Sequence, residues 1–201
     1  MMKKYYHFLF STILLFLTAS ILSGQDTVAF YSFSGNAEDQ SSFGNDATIC
    51  GALLTQDRFG VANRAFAFDG VQSFLKAENA AQLQTSATTT VSFWIKVASL
   101  PAQGEVFIMS FGGWQERWKI SLPGHGKPVW TTNHENGISD MDSGDSTNAL
   151  KIGEWAHVVT VHDGTKDFIY LNGVLAAEKE VIGGLNSTMS PLGIGYDPIG
   201  G

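Results

Sequence analysis

The sequence predicts an all-β protein built as a two-sheet antiparallel sandwich, and three observations carry that prediction. Residues 155–162 alternate Trp155, His157, Val159 and Val161 on one side with Ala156, Val158, Thr160 and His162 on the other. Period two in a β-branched-rich run is the signature of a strand. Asp163-Gly164 follows, a pair suited to positive φ in a tight turn, then a second strand over 168–171 and a second turn signal at Asn172-Gly173. Glycine supplies 22 of the 201 residues, above the usual share of about 7%, as many turns between short strands require.

The length suits one domain, and a hydrophobic content of 44% can fill a sizeable core. The first residues belong to another class. Lys3 and Lys4 make a basic start, residues 8–22 are almost wholly apolar, and Ser23-Gly24 offers small residues for cleavage before Gln25. This reads as a signal peptide over 1–24, with a mature domain over 25–201 that is secreted or held outside the cytoplasm. Leu22-Ser23-Gly24 resembles a lipobox, but Gln25 stands where the lipidated cysteine would be. Cleavage would remove Lys3 and Lys4 and no acid, leaving 10 basic and 19 acidic residues, a net charge of −9. No basic run survives, which argues against nucleic acid and anionic membrane surfaces as partners, and no stable membrane insertion is expected once the signal peptide is cleaved. The lone Cys50 has no internal disulfide partner and reads as a small buried hydrophobe.

In chain order, residues 27–33 alternate as a strand, and 34–46 are turn-rich and form a loop. Phe66 and Phe68 share a face and are expected in the core, with Asp69-Gly70 as the turn behind them. Residues 80–83 suggest a helical turn. Residues 90–97 place Val91, Phe93, Ile95 and Val97 on one face and Ser92, Trp94 and Lys96 on the other, with Trp94 read as packing within the sandwich. Residues 106–111 form the next strand, ending in a bend or bulge at Gly112-Gly113. Trp118, Ile120 and Leu122 then alternate with Arg117, Lys119 and Ser121. Residues 123–128 turn, 129–133 return as a strand, and 136–148 lack a strand pattern and read as a loop. Strands at 176–181 and 192–196 complete the pass.

Several of these segments resemble laminin-G-like domains of the concanavalin A-type lectin/glucanase superfamily. The similar residues are Trp155-x-His157-Val158 with Asp163-Gly164 and Asn172-Gly173-Val174, the run Phe93-Trp94-Ile95-Lys96, and the early motifs Gly35-Asn36-Ala37, Gly44-Asn45, Arg58-Phe59-Gly60 and Phe68-Asp69-Gly70. They stand in the family's order across residues 27–196. The resemblance implies a two-sheet antiparallel jelly roll of the concanavalin A-like type. One departure is that relatives finish with a strand reading roughly Asp/Glu-Val-Arg-Ile-Tyr beside the first strand. Nothing here matches it, which leaves a sheet edge expected to be open.

Catalysis finds little support. Retaining glycosidases need two carboxylates about 5 Å apart, and the glucanases of this fold place them on one strand as Glu-x-Asp-x-Glu. Glu116, Glu135 and Glu154 lack that context, and Glu178 and Glu180 are separated by Lys179. No Gly-x-Ser-x-Gly elbow occurs. His157 and His162 fall on opposite strand faces, so no zinc site is suggested. Residues 140–145 begin like an EF-hand, but Lys151 stands where the bidentate glutamate belongs. Calcium-binding relatives use loop carboxylates and carbonyls, so the resemblance keeps calcium open as a cofactor without assigning its ligands.

Binding remains. Sugars are gripped by aromatic faces against their C–H surfaces, with polar groups meeting the hydroxyls. Trp114, Arg117, Trp118, His125, Trp130, His134 and Glu135 supply that mix in one short region, against the competing reading that Trp118 and Trp130 are core residues. The expectation is a secreted, non-catalytic module for a glycan or cell-surface polymer. A structural or adhesive module with a protein partner, and a catalytically inactive glycosidase relative, stand as alternatives.

Overall fold

A computed structural model describes residues 27–84 and 87–196; the leader expected over 1–24 lies outside these residues. Thirteen strands are formed among the described residues. They are β1 (Ala47–Cys50), β2 (Leu53–Thr55), β3 (Ala65–Ala67), β4 (Phe74–Ala77), β5 (Thr89–Lys96), β6 (Glu105–Phe111), β7 (Trp118–Pro123), β8 (Val129–His134), β9 (Gly137–Asp142), β10 (Trp155–His162), β11 (Lys166–Leu171), β12 (Val174–Glu180) and β13 (Leu192–Ile194). A single helical turn, α1 (Gly113–Glu116), joins β6 to β7. One sheet has seven strands in the order β1-β4-β13-β6-β7-β8-β9, the other four in the order β12-β11-β10-β5, and β2 pairs with β3 alone. The pairings between strands are antiparallel. This is the expected two-sheet sandwich.

The alternation read from sequence decides which face of each strand is buried. On β7 and β8 the inward side chains are Trp118, Ile120, Leu122, Trp130, Thr132 and His134, all buried. They meet Ala156, Val158, Thr160 and His162 of β10 and Asp167 and Ile169 of β11 across the interface. Phe111 meets Trp118 edge-to-face and Trp118 meets Trp130 at a tilt, with ring centroids 6.0 and 5.5 Å apart. Burial of each such side chain contributes roughly 1.5–3 kcal/mol. The hairpin β10–β11 forms as expected, Asp163 accepting main-chain bonds from Thr165 and Lys166 and Gly164 taking φ 91°.

Several expectations need correction. Residues 136–148 are not all loop, because 137–142 form β9 in register with β8, Trp130 opposite Met141 and Thr131 opposite Asp140. Residues 27–33 have no strand partner among the described residues. Tyr31 and Phe33 still pack on the core clusters. Cys50 is only half-buried. Phe66 packs edge-on to Phe33 at 5.2 Å, but Phe68 lies past the end of β3 and is 38% exposed. Trp94 is 44% exposed on the outer face of the smaller sheet, stacked on His157 with Arg58 above it. Its period-two position beside Ser92 and Lys96 directs it outward.

Candidate functional site

The outer face of the seven-stranded sheet carries an unusual set of side chains. One cross-strand row runs Ser110, Lys119, Thr131 and Asp140, and the next runs Phe107, Ser121, Val129 and Asp142. Lys119 is buried although it faces away from the core. Its ammonium pairs with Glu105 and lies 5.1 Å from the Phe107 ring centre. Glu105 also accepts a 2.6 Å bond from the Ser121 hydroxyl, and Asp140 accepts one of 2.5 Å from Thr131. At the far end Lys127 pairs with Asp142 at 2.5 Å and donates to the Gly144 carbonyl. That contact, together with the Gly144 amide, holds the Asp142 carboxyl below its ordinary range.

Trp114 stands at the other end of this face on α1, 44% exposed. Its placement follows from the two glycines before it. Gly112 and Gly113 take φ 72° and 56°, and a side chain on Gly112 would come within 2.5 Å of Thr188 Oγ1, so the reversal demands glycine. Asn133 then ties α1 to β8 by donating to the Trp114 and Gln115 carbonyls, both at 2.9 Å. A cleft of about 260 Å³ is lined by Trp114, Lys119, Thr131, Ile138 and Asp140. A second of about 600 Å³ shares Asp140 and extends past Glu105 and Asp142 to His125. Together they make a shallow groove with an indole at one end and charged or hydroxyl groups along its floor.

Of the seven residues expected to bind ligand, the structure brings Trp114 and His125 to this groove. Glu135 is exposed in the turn between β8 and β9. Trp118, Trp130 and His134 point between the sheets and are buried, so they have no route to a ligand outside. Arg117 is buried too, although alternation grouped it with Lys119 and Ser121. It caps α1 with non-strand dihedrals (φ −139°, ψ −73°), which breaks the phase. Its guanidinium lies 5.4 Å from the Phe111 ring centre and donates to the Asn186 carbonyl, and burial lowers its pKa to about 10. Sequence reasoning missed Glu105, Thr131, Ile138 and Asp140. The polar side of β7 was legible, but Asp140 was assigned to a loop.

Other candidate chemistry is placed as follows. His162 Nδ1 meets Asp167 Oδ1 at 2.9 Å, and Thr132 donates to Oδ2 at 2.6 Å, all three fully buried between the sheets and closed to substrate. Glu178 and Glu180 share one cation, Lys166, at 3.1 and 3.0 Å. Asp140, Asp142 and Asp145 do not converge as calcium ligands. Their oxygens face Thr131, Lys127 and the Thr147 amide respectively, and among the described residues no group of three His, Cys, Asp or Glu side chains is placed to hold a metal.

Comparison with known proteins agrees with this architecture. No curated protein matches the sequence. Domain 4 of AbnA, an extracellular arabinanase of glycoside hydrolase family 43 from Geobacillus stearothermophilus solved with arabinotriose, superposes with a TM-score of 0.64 at 20% identity, covering 86% of each chain. The receptor-binding domain of a botulinum neurotoxin C/D mosaic serotype superposes with a TM-score of 0.63 at 16% identity, covering 85% of this chain and 45% of its own. The binding domain of botulinum neurotoxin DC, solved with rat synaptotagmin II, gives 0.58 at 15% identity, covering 83% of this chain and 45% of its own. At these identities the likeness is one of fold. A laminin-G-like family model matches residues 69–201, more than half of the chain, and the protein therefore belongs to the concanavalin A-like lectin/glucanase superfamily.

Proposed function

We propose that the protein is an exported, non-catalytic carbohydrate-binding module whose ligand lies along the outer face of the seven-stranded sheet. The observation that carries this reading is the exposed Trp114 ring at the end of a groove floored by Lys119, Thr131 and Asp140. An indole offers an apolar platform to the C–H face of a pyranose or furanose, and fixed carboxylate, hydroxyl and ammonium groups match its hydroxyls. The complex of the arabinanase domain with arabinotriose supports a glycan as the ligand class. The ion pair of Glu105 with Lys119 and the sharing of Lys166 by Glu178 and Glu180 support a role without hydrolysis. Glu105, Glu178 and Glu180 are each paired with a lysine, whereas a glycosidase pairs two free carboxyls across the bond it cleaves.

The test is a glycan array probed with residues 25–201, in calcium and again in a chelator. Binding to a defined oligosaccharide that disappears in Trp114→Ala supports the proposal. Absence of binding to every glycan would sink it, and release of reducing sugar would replace it with an enzyme.

A further inference from the structure

Asp140 stands where the two parts of the outer groove meet. It lines both the cleft beside Trp114 and the larger one that runs to His125, so a ligand spanning the two crosses it. Its place follows from alternation and register. Ser139 and Met141 of β9 are buried and Asp140 between them is exposed, opposite Thr131 and in the same row as Lys119. Among the described residues the Asp140 carboxylate has one partner, the Thr131 hydroxyl, which donates to Oδ1.

The cations around it are engaged elsewhere. Lys119 is held by Glu105, and Lys127 by Asp142 and the Gly144 carbonyl. Lys179 donates to the main-chain carbonyl of Asp140 at 3.1 Å. Among the described residues no ion pair reaches the Asp140 carboxylate. The acids Glu105 and Asp142 each have a lysine, so the charge left over on the groove floor is that of Asp140.

We propose that Asp140 makes this groove select by charge, taking neutral and amine-bearing sugars and turning away glycans whose units carry carboxylate or sulfate. The inference rests on the reading of the groove as the glycan site. An ionised carboxylate only accepts hydrogen bonds. A sugar hydroxyl donates to the open Asp140 oxygen, and an ammonium substituent donates while also matching its charge. A uronate or sulfate group brings acceptors alone, so it meets Asp140 as a second anion with no proton between them. Like charges set against each other in this way reject a partner, and no free lysine stands by to offset them. Trp114 acts in the same direction, because an indole face attracts an ammonium group.

The test is an array probed with residues 25–201 that carries each glycan backbone in neutral, amine-bearing and uronate or sulfated forms. The best set is then titrated at low salt and at pH 8, where histidine charge plays little part. The acidic form is expected to bind at least about tenfold more weakly than the neutral one, and the amine-bearing form more tightly. High salt is expected to narrow both differences, a readout that needs no variant. Asp140→Asn keeps an acceptor for Thr131 and is expected to bring acidic and neutral forms within about threefold of each other. Glu180→Gln removes the same charge from the other sheet and is expected to leave the difference as in the parent. Equal binding of acidic and neutral forms by the parent would overturn the inference and leave the groove as a glycan site. So would an unchanged difference in Asp140→Asn, or the same loss in Glu180→Gln. Failure to bind any glycan would remove the reading beneath the inference and the inference with it.

Discussion

Trp114 and Trp118 lie on opposite faces of the seven-stranded sheet although only one helical turn separates them. Trp114 is 44% exposed at the end of the outer groove, and Trp118 is 4% exposed against Phe111 and Trp130. The same residue type therefore does two jobs, and truncation should separate them. Trp130→Ala and Trp118→Ala are expected to cost about 3–5 kcal/mol by urea unfolding, as loss of a buried aromatic usually does. Trp114→Ala is expected to stay within about 0.5 kcal/mol of the parent. Comparable losses in all three would contradict the assignment.

Gly112 fixes where Trp114 stands. Gly112→Ala forces a Cβ into Thr188 at a left-handed φ, so it is expected to destabilise by more than the ~1 kcal/mol that such a replacement contributes favourably where the backbone permits it, and to weaken glycan binding as well. Gly173→Ala serves as a comparison, since its Cβ would meet nothing within 4 Å. Its φ of 81° adds strain but lies at the β11–β12 turn of the other sheet. Unfolding and titration of the two variants check this, and only Gly112→Ala should lower affinity.

His134 should make stability depend on acid. Its ring is buried almost parallel to that of His162, with centroids 6.3 Å apart, and neither of its nitrogens has a hydrogen-bond partner among the described residues. Burial lowers its pKa below the ordinary 6.5, His162 and Lys179 act in the same direction, and Asp167 opposes them. Below the ordinary value the unfolded chain takes up a proton that the folded chain resists. Stability is thus fully present above about pH 6.5 and is lost as pH falls through the window below it. The melting temperature should fall between pH 7 and pH 5, and His134→Gln should flatten that dependence.

Asp167 is the acceptor that makes this polar end of the core tolerable. It takes bonds from His162 and Thr132 while fully buried. Asp167→Ala leaves two buried donors without an acceptor and is expected to cost about 1–3 kcal/mol for each. Chemical denaturation measures this, and a loss near zero would contradict the network.

Much of the fold was legible because alternation and turn chemistry are local. The pattern of 155–162 and the pairs Asp163-Gly164 and Asn172-Gly173 announce their hairpin without reference to the rest of the chain. β9 was hidden because its inward residues include Ser139, so the run from Gly137 to Asp142 shows no apolar period. Residues 27–33 failed in the opposite direction. Their alternation is strand-like, but pairing depends on a neighbour that no local pattern supplies. The site was half legible for the same reason. The phase of β7 already put Trp118 with Ile120 and Leu122, whereas bringing Trp114, Lys119 and Asp140 together requires the cross-strand register from β7 to β9.

The groove on the outer face of the larger sheet is the central claim, and calorimetric titration of the best oligosaccharide from the array tests it most directly. Trp114→Ala and Lys119→Met are expected to lower affinity at least tenfold, about 1.4 kcal/mol, with Trp114→Ala keeping the parent's melting temperature. Unchanged affinity in Trp114→Ala would contradict the account and move the ligand to another face of the sandwich.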